Sequence, residues 1–211
     1  MLVLFAAVAA VALEPAHVAE VAKAAGMSPD EVATKLAPLT RDETVLTRMA
    51  APWEKKPWYQ YRALFLTEER IAKGQAFKAA HADVLAKAEA RYGVPASVIL
   101  AILGVETIYG ERMGEDVIAN SLFTLGFYHP KRGPFFRTEL GQYLRLAADQ
   151  GWSITEQKGS YAGAMGMGQF MPSSYRTWAV DFDQDGHIDL FRSPAPRSGP
   201  RPSRARRRGP P

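Results

Sequence analysis

The sequence predicts a mainly α-helical protein, on three observations. Most apolar residues recur at helical spacing, and proline or glycine stands at the starts and ends of these segments. No alternation of apolar and polar residues typical of a strand continues for more than a few positions. The 211 residues, 47% of them apolar, are enough for one globular unit with a substantial core.

The N-terminal third contains the clearest helix signals. The segment "HVAEVAKAAG" predicts a short helix that ends at Gly26. Ser28 and Glu31 have the spacing of a capping box, which predicts the start of a second helix. A long amphipathic helix is predicted from residue 67 to residue 93, where a glycine ends it.

Four further helices are predicted in the second half. Pro95 starts an apolar helix in "VPASVILAILGVETIYG", and the others are "DVIANSLFTLGF", "PFFRTELGQYLRLAADQ" and "MPSSYRTWAV". The stretch "YHPKRG" is predicted to be a loop, because His129 precedes a proline and is biased away from helical geometry. "SYAGAMGMGQF" is too rich in glycine for a helix.

Composition excludes several classes of site. There is no cysteine, so the sequence excludes disulfides, thiolate metal sites and a lipid-modified cysteine. The net charge of +4 comes from residues 193–211, which hold six arginines and no acid, and the remainder has a charge of −2. A nearly neutral body predicts no nucleic-acid partner. The run "RPSRARRR" is predicted to be solvated, although binding to nucleic acid or a membrane surface stays an alternative.

A single carboxylate ends the apolar helix segment, at Glu106. A carboxyl group beside hydrophobic surface loses hydration of its charged form and keeps its proton to a higher pH. Such a group can act as general acid toward a glycosidic oxygen. The position is therefore compatible with a catalytic carboxyl enclosed by apolar neighbours, although spacing alone favours a helix-end glutamate that reaches water or pairs with an arginine.

A second informative stretch is "GSYAGAMGMGQFMPSSY". It fits neither the dinucleotide-binding glycine pattern nor a phosphate-binding loop, which needs a lysine. Gly163, Gly166 and Gly168 would let the backbone approach a ligand closely. Ser160 and Gln169 would offer hydrogen bonds to that ligand.

These residues resemble a known family. "VPASVILAILGVETIYGERMG", "YHPKRGPFFRTEL" and "KGSYAGAMGMGQFMPSSYRTWAVDFDQDGHIDL" are similar to the membrane-bound lytic murein transglycosylase B family, over about residues 58–190. The resemblance implies a lysozyme-like transglycosylase fold with an N-terminal helical extension. It also implies cleavage of the β-1,4 bond between N-acetylmuramic acid and N-acetylglucosamine in peptidoglycan, with a 1,6-anhydro product.

The resemblance also implies roles for particular residues. Glu106 would be the sole catalytic acid/base, with Ser160 and Gln169 lining the cleft beside it. Tyr61 would pack on a sugar ring, unless it is an ordinary surface tyrosine, and Arg132 would contact peptide or lactyl carboxylates. Peptidoglycan glycan strands would be the partner, and no cofactor would be required.

The segment "DFDQDGHIDLFR" fits the first part of an EF-hand loop. Its ligands would be Asp181, Asp183, Asp185, the carbonyl of His187, and Asp189. Arg192 stands where that loop needs a bidentate glutamate. The sequence therefore predicts weak Ca²⁺ binding, and a solvated acidic turn is the alternative.

The predicted organisation has four parts. Residues 1–12 form a signal peptide, because the apolar run is too short to span a membrane and ends in an A-x-A-like site. Since no lysine or arginine precedes the run, a buried N-terminal helix is the alternative. Residues 13–85 form an N-terminal helical region and 86–191 an incomplete lysozyme-like catalytic domain. Residues 192–211 form a disordered tail rich in arginine and proline.

Two expectations follow from this organisation. Export without a lipid-modified cysteine predicts a soluble periplasmic protein with no integral membrane segment. The family-like sequence stops near Leu190, which predicts a truncation or frameshift. A truncated, non-catalytic remnant that binds glycan weakly or does not fold is therefore the alternative to an active enzyme.

Overall fold

The computed structural model describes residues 13–50, 57–182 and 188–191. Within these ranges the chain forms ten α-helices and two very short strands, which confirms the predicted mainly α class. The helices are α1 (Pro15–Ala25), α2 (Pro29–Leu36), α3 (Glu43–Ala50), α4 (Trp58–Ala63), α5 (Glu68–Ala80), α6 (Ala82–Tyr92), α7 (Ala96–Thr107), α8 (Ile118–Tyr128), α9 (Gly133–Gln150) and α10 (Pro172–Trp178). Strands β1 (Asp116–Val117) and β2 (Lys158–Gly159) pair antiparallel.

Most predicted helix boundaries are found. Gly26 ends α1 with a left-handed φ of 63°, and the capping box of Ser28 and Glu31 starts α2. The predicted helices of the second half correspond to α7, α8, α9 and α10, and residues 129–132 of the "YHPKRG" segment join α8 to α9 without helical structure. These boundaries follow from residues whose backbone preferences act locally.

The long helix predicted over residues 67–93 is wrong at its centre. His81 leaves the helical conformation, with φ −124° and ψ 26°, and so separates α5 from α6. Its imidazole ring lies 4.3 Å from the ring of Phe77, centre to centre. After this break α6 packs against α7. No glycine or proline stands at the break, so the sequence carries no local signal for it.

The core forms around α9, which packs against α1, α8 and α10. Burial of each large apolar side chain contributes about 1.5–3 kcal/mol before conformational entropy is counted. The largest fully buried side chains include Val21, Leu36, Leu122, Phe136, Leu140, Tyr143, Leu144, Met165 and Tyr175. This core joins α1–α3 to α8–α10 and so crosses the boundary predicted at residue 85, and the division of the chain into domains stays a prediction.

Two buried charged side chains of α9 connect it to its neighbours. Arg137 donates to the Glu20 carboxylate of α1 at 2.8 Å and to the Gly126 carbonyl of α8 at 2.8 Å. The hydrogen bond from Arg137 holds the pKa of Glu20 below its ordinary value. Glu139 accepts from the backbone N–H and the hydroxyl of Ser173, at 2.9 and 2.6 Å. Glu139 thereby satisfies N-terminal donors of α10.

In the described part of the chain, no single helix has both the length and the apolar character of a membrane span. Helices α6 and α7 together have this length and apolar character, but the chain bends by 115° at the break between them.

Candidate active site

Glu106 lies in the last turn of α7, and its side chain is exposed. The helix ends in three consecutive left-handed residues: Ile108 with φ 53°, Tyr109 with φ 59° and Gly110 with φ 91°. A β-branched residue rarely adopts this conformation, so the surrounding contacts must stabilise it. The backbone therefore reverses direction directly after the carboxylate.

Thr107 attaches this helix end to the glycine-rich loop. Its hydroxyl donates to the carbonyl oxygen of Met167 at 2.8 Å and accepts from the N–H of Gly110 at 3.0 Å. Thr107 is only 1% exposed, so these bonds are shielded from water. The residue adjacent to Glu106 is thus bonded both to the turn that follows it and to a segment sixty residues away.

Thr107→Val is expected to destabilise the fold by about 1–3 kcal/mol, because the partly buried carbonyl of Met167 and N–H of Gly110 lose their partner. The shape of the side chain is nearly unchanged. Urea unfolding monitored by circular dichroism measures the cost. The matched control is Thr138→Val on α9, whose exposed hydroxyl bonds only to the carbonyl of Pro134 in its own helix. Equal costs for the two variants would contradict the proposed role of Thr107.

The glycine-rich loop is held by the side chains predicted to face a ligand. The Ser160 hydroxyl accepts from the backbone N–H groups of Ala162 and Ala164, at 3.3 and 3.0 Å. Gln169, at φ 50°, donates through Nε2 to the carbonyl oxygens of Met113 and Gly166, at 3.2 and 3.0 Å. Both side chains therefore shape the loop, and their contact with a substrate stays a prediction.

Tyr61 is connected to α7 through a chain of contacts. Its ring lies 4.9 Å from that of Phe65, and the guanidinium of Arg70 lies over Phe65 at 5.1 Å. Arg70 donates to the carbonyl oxygen of Gly104 at 3.0 Å, two residues before Glu106. The aromatic helix α4 is thus fixed to the same end of α7 as the carboxylate.

Arg132 lies at the start of α9, and its side chain is exposed. Its guanidinium lies over the rings of Phe135 and Phe136, at 5.0 and 4.9 Å. The His129 imidazole accepts from its backbone N–H at 3.1 Å. Within the described ranges these contacts connect Arg132 to α9 and its loop, and none joins it to α7.

Three acidic residues that follow Glu106 are ion-paired. Glu111 lies 2.6 Å from the Lys73 ammonium, Glu115 lies 3.2 Å from that of Lys158, and Asp116 pairs with Arg48. The carboxylates of Glu111 and Glu69 raise the pKa of Lys73. Among the described residues Glu106 makes no ion pair. Unlike these three neighbours, its carboxylate is therefore not bound to any cation that the structure describes.

The predicted apolar enclosure of Glu106 is wrong for the described residues. Val98, Ile102 and Val105 of α7 are 44%, 51% and 47% exposed. A helix that is apolar on every side is usually buried. Here α5 and α6 cover one side of α7, and the side that carries the carboxylate faces outward. The helix sequence alone cannot specify which elements pack against it.

A cavity of about 250 Å³ lies beside the end of α7. Its lining residues are Phe77, His81, Tyr109, Gly110, Met113, Met167 and Phe191. Glu106 is not among them. The cavity therefore lies beside the turn that follows Glu106, and the Glu106 side chain does not line it.

The predicted Ca²⁺ ligands lie mostly outside the described residues. This holds for Asp183, Asp185 and His187, while Asp181 and Asp189 are described. In the described ranges no group of three or more His, Asp or Glu side chains could hold a metal ion. After the acidic loop, the Ile188 carbonyl accepts from the Tyr175 hydroxyl at 2.7 Å. Burial raises the pKa of Tyr175 to about 12.

Comparison with known proteins identifies the family. The model of the Transglycosylase SLT domain matches residues 12–196. The chain belongs to this family. Membrane-bound lytic murein transglycosylase B of Escherichia coli K12 is 46% identical over 134 residues, which are 64% of this chain and 37% of that protein. The chain thus spans well under half the length of this curated relative.

Solved structures of the family share the fold. The soluble lytic transglycosylase SltB1 from Pseudomonas aeruginosa is similar with a TM-score of 0.78 and 42% identity, over 85% of this chain and 61% of that one. The described helices therefore have the arrangement of lysozyme-like lytic transglycosylases, as the resemblance implied. The chain covers about three fifths of that structure.

Two further relatives were solved with ligands. The E. coli lytic transglycosylase SLT35 was solved in complex with calcium; it has a TM-score of 0.75 and 38% identity, over 83% of this chain and 56% of that one. SltB3 from P. aeruginosa was solved in complex with NAG-NAM-pentapeptide. It has a TM-score of 0.75 and 33% identity, over 85% of this chain and 48% of that one.

Sequence reasoning did not single out Arg70 and Tyr109, whose side chains lie beside the end of α7 that carries Glu106. Arg70 bonds to a residue 34 positions away, and Tyr109 has an unusual backbone conformation. One signal was present. Gly74 and Gly104 stand inside helical segments, where an isolated glycine often indicates close packing.

Proposed function

We propose that this protein is a peptidoglycan lytic transglycosylase in which Glu106 acts alone as general acid and base. The observation that carries the proposal is the difference among the local carboxylates. Glu106 stands at the end of α7 without an ion pair among the described residues, while Glu111, Glu115 and Asp116 are each paired with a cation. Membership in the family supplies the reaction class.

One carboxyl group is sufficient for this reaction. Protonated Glu106 gives its proton to the oxygen that links N-acetylmuramic acid to N-acetylglucosamine, and the bond from C1 to that oxygen breaks. The resulting carboxylate takes the proton of the C6 hydroxyl of the same muramyl residue while O6 bonds to C1. Glu106 ends protonated, no water is consumed, and the product is 1,6-anhydro-N-acetylmuramic acid.

Hydrolysis would need a further group. Glycosidases that hydrolyse their substrate commonly use a second carboxylate about 5–9.5 Å from the first. The acids nearest to Glu106 in sequence are occupied by Lys73, Lys158 and Arg48. This distribution of charges favours the intramolecular reaction over attack by water.

The proposed substrate is a glycan strand that carries peptides. The Tyr61 ring would pack against a pyranose face, the Ser160 hydroxyl would donate to the sugar, and the Gln169 amide oxygen would accept from it. Arg132 would bind a carboxylate of the peptide or lactyl group. The complex of SltB3 with NAG-NAM-pentapeptide supports this substrate class.

A second candidate function is glycan binding without catalysis. The exposed side of α7 favours it, because an acid catalyst works best when water is excluded from its surroundings. In this function Tyr61 and the glycine-rich loop would bind the glycan, but the Glu106 carboxyl would stay in contact with water.

Digestion of purified peptidoglycan, followed by mass spectrometry of the released fragments, tests the proposal. We expect anhydromuropeptides from the wild-type protein and none from Glu106→Gln. Fragments with reducing ends would indicate a hydrolase. A folded wild-type protein that sediments with peptidoglycan but releases nothing would support the binding function.

We further propose a periplasmic location and weak, non-essential Ca²⁺ binding. Both follow from the family, and the calcium complex of SLT35 supports the second. With Asp181 and Asp189 present and Arg192 in place of the closing glutamate, affinity near that of the weakest EF-hands, about 1 mM, is expected. Calorimetric titration with CaCl₂ measures this affinity. The absence of any heat of binding in the millimolar range would contradict the proposed Ca²⁺ binding.

A further inference from the structure

We propose that Tyr109 is a positioning residue that fixes the direction of the Glu106 carboxyl group. The inference rests on the proposed function. Tyr109 follows Glu106 by three residues, and its side chain turns back between helices α5 and α7. It does not need to touch the substrate. Its effect would come from holding the last turn of α7 in one orientation.

Two glycines form a slot for the tyrosine. A Cβ atom added to Gly74 of α5 would lie 2.3 Å from the Tyr109 hydroxyl oxygen, and one added to Gly104 of α7 would lie 2.7 Å from it. Glycine weakens the interior of a helix relative to alanine. Helices α5 and α7 therefore each carry a destabilising glycine at the point where the phenol group passes between them. This placement indicates that the fold needs the close approach of Tyr109 to both helices.

Further contacts hold the same joint. The Tyr109 ring lies 5.5 Å from the ring of Phe77, centre to centre. Arg70 of α5 donates to the carbonyl oxygen of Gly104, at 3.0 Å. The ring and the guanidinium thus join α5 to the end of α7 within three residues of Glu106.

The backbone of this joint is strained. Tyr109 and its neighbour Ile108 both have left-handed φ values, of 59° and 53°. Such a conformation persists only where the surrounding structure imposes it, and it is most frequent at functional sites. The inserted ring is one of the contacts that impose it here, together with the bond from the Gly110 N–H to the Thr107 hydroxyl. Without the ring, the reversal after Glu106 would relax and the last turn of α7 would rotate.

The neighbouring cavity gives the ring an alternative place. Tyr109 lines the cavity of about 250 Å³ together with Met113 and Met167. A methyl group placed in the glycine slot would therefore push the ring into this space instead of unfolding the joint. The glycine variants can thus displace Tyr109 while the protein stays folded.

The kinetic test uses Gly74→Ala, Tyr109→Ala and the double variant, with defined soluble glycan strands as substrate. We expect Gly74→Ala to lower kcat by about 10- to 100-fold with KM nearly unchanged, since a displacement near 1 Å has effects of this size. In the Tyr109→Ala background, Gly74→Ala should have no further effect, because the atom it collides with is absent. Tyr109→Phe keeps the ring and should retain most of kcat.

The structural test does not depend on activity. Amide hydrogen exchange of residues 103–112 should be faster in Tyr109→Ala than in the wild type. Tyr92→Ala, which removes an exposed ring from α6, should leave these amides unchanged. If the wild type itself releases no anhydromuropeptides, the proposed function fails, and exchange still decides whether Tyr109 fixes the end of α7. Wild-type exchange or wild-type kcat in Tyr109→Ala would overturn the inference.

Discussion

Glu106→Gln is expected to lower the rate of glycan cleavage by about 10²–10⁴-fold, the range that general acid–base catalysis contributes. Glutamine has the shape of glutamate but can neither donate an acidic proton to the glycosidic oxygen nor remove one from the C6 hydroxyl. Because Glu106 is exposed and makes no ion pair among the described residues, the substitution should leave the fold intact. The rate of soluble muropeptide release, at equal concentrations of folded protein, measures the effect.

Glu111→Gln and Glu115→Gln are the matched controls. Each removes a carboxylate near Glu106 in sequence that pairs with a surface lysine. Exposed ion pairs contribute only about 0–1 kcal/mol to stability, so both variants should fold and cleave nearly as the wild type does. A loss of activity in Glu111→Gln equal to that in Glu106→Gln would contradict the assignment of one catalytic carboxylate.

Gly141→Ala is expected to have the largest effect on stability, a loss of about 3 kcal/mol, the upper part of the usual range for overpacking. Its added Cβ would lie 2.6 Å from the carbonyl oxygen of Val21 and 2.6 Å from Cβ of Ala24. The backbone of α1 cannot rotate away as a side chain could. The variant must therefore separate α1 from α9, which pack directly on each other in the core. Equilibrium urea unfolding measures the change.

Gly26→Ala is the control for this substitution. Gly26 has φ +63°, and a Cβ added there would meet nothing within 4 Å. It isolates the conformational cost of a left-handed residue, about 1–2 kcal/mol. Gly141→Ala, at a helical position, isolates the steric cost. A smaller loss for Gly141→Ala than for Gly26→Ala would contradict the described packing of α1 on α9.

Much of the helical framework could be predicted, because its signals are local. The capping box at Ser28 and the left-handed glycines at Gly26 and Gly93 act within one turn of the chain. The break at His81 could not be predicted. It accompanies the contact of α6 with α7 and the tilted ring contact of His81 with Phe77, and neither appears in a helical periodicity.

The types of residue in the candidate site could be predicted from the sequence better than the elements that pack around them. The apolar run made Glu106 a candidate, the family resemblance assigned its role, and the glycine spacing drew attention to the loop that Thr107 contacts. The enclosure of the carboxyl was predicted wrongly, since burial depends on the elements that pack against α7 and not on its own composition. The slot for Tyr109 combines α5, α7 and the residues after it, which only the folded chain brings together.

The most direct test of the central claim is digestion of peptidoglycan in water labelled with heavy oxygen. If Glu106 transfers one proton in both directions and O6 attacks C1, the released fragments carry the 1,6-anhydro ring and contain no heavy oxygen. Fragments with a free reducing end that carry the label would show that water attacks C1. That result would contradict catalysis by a single carboxyl group.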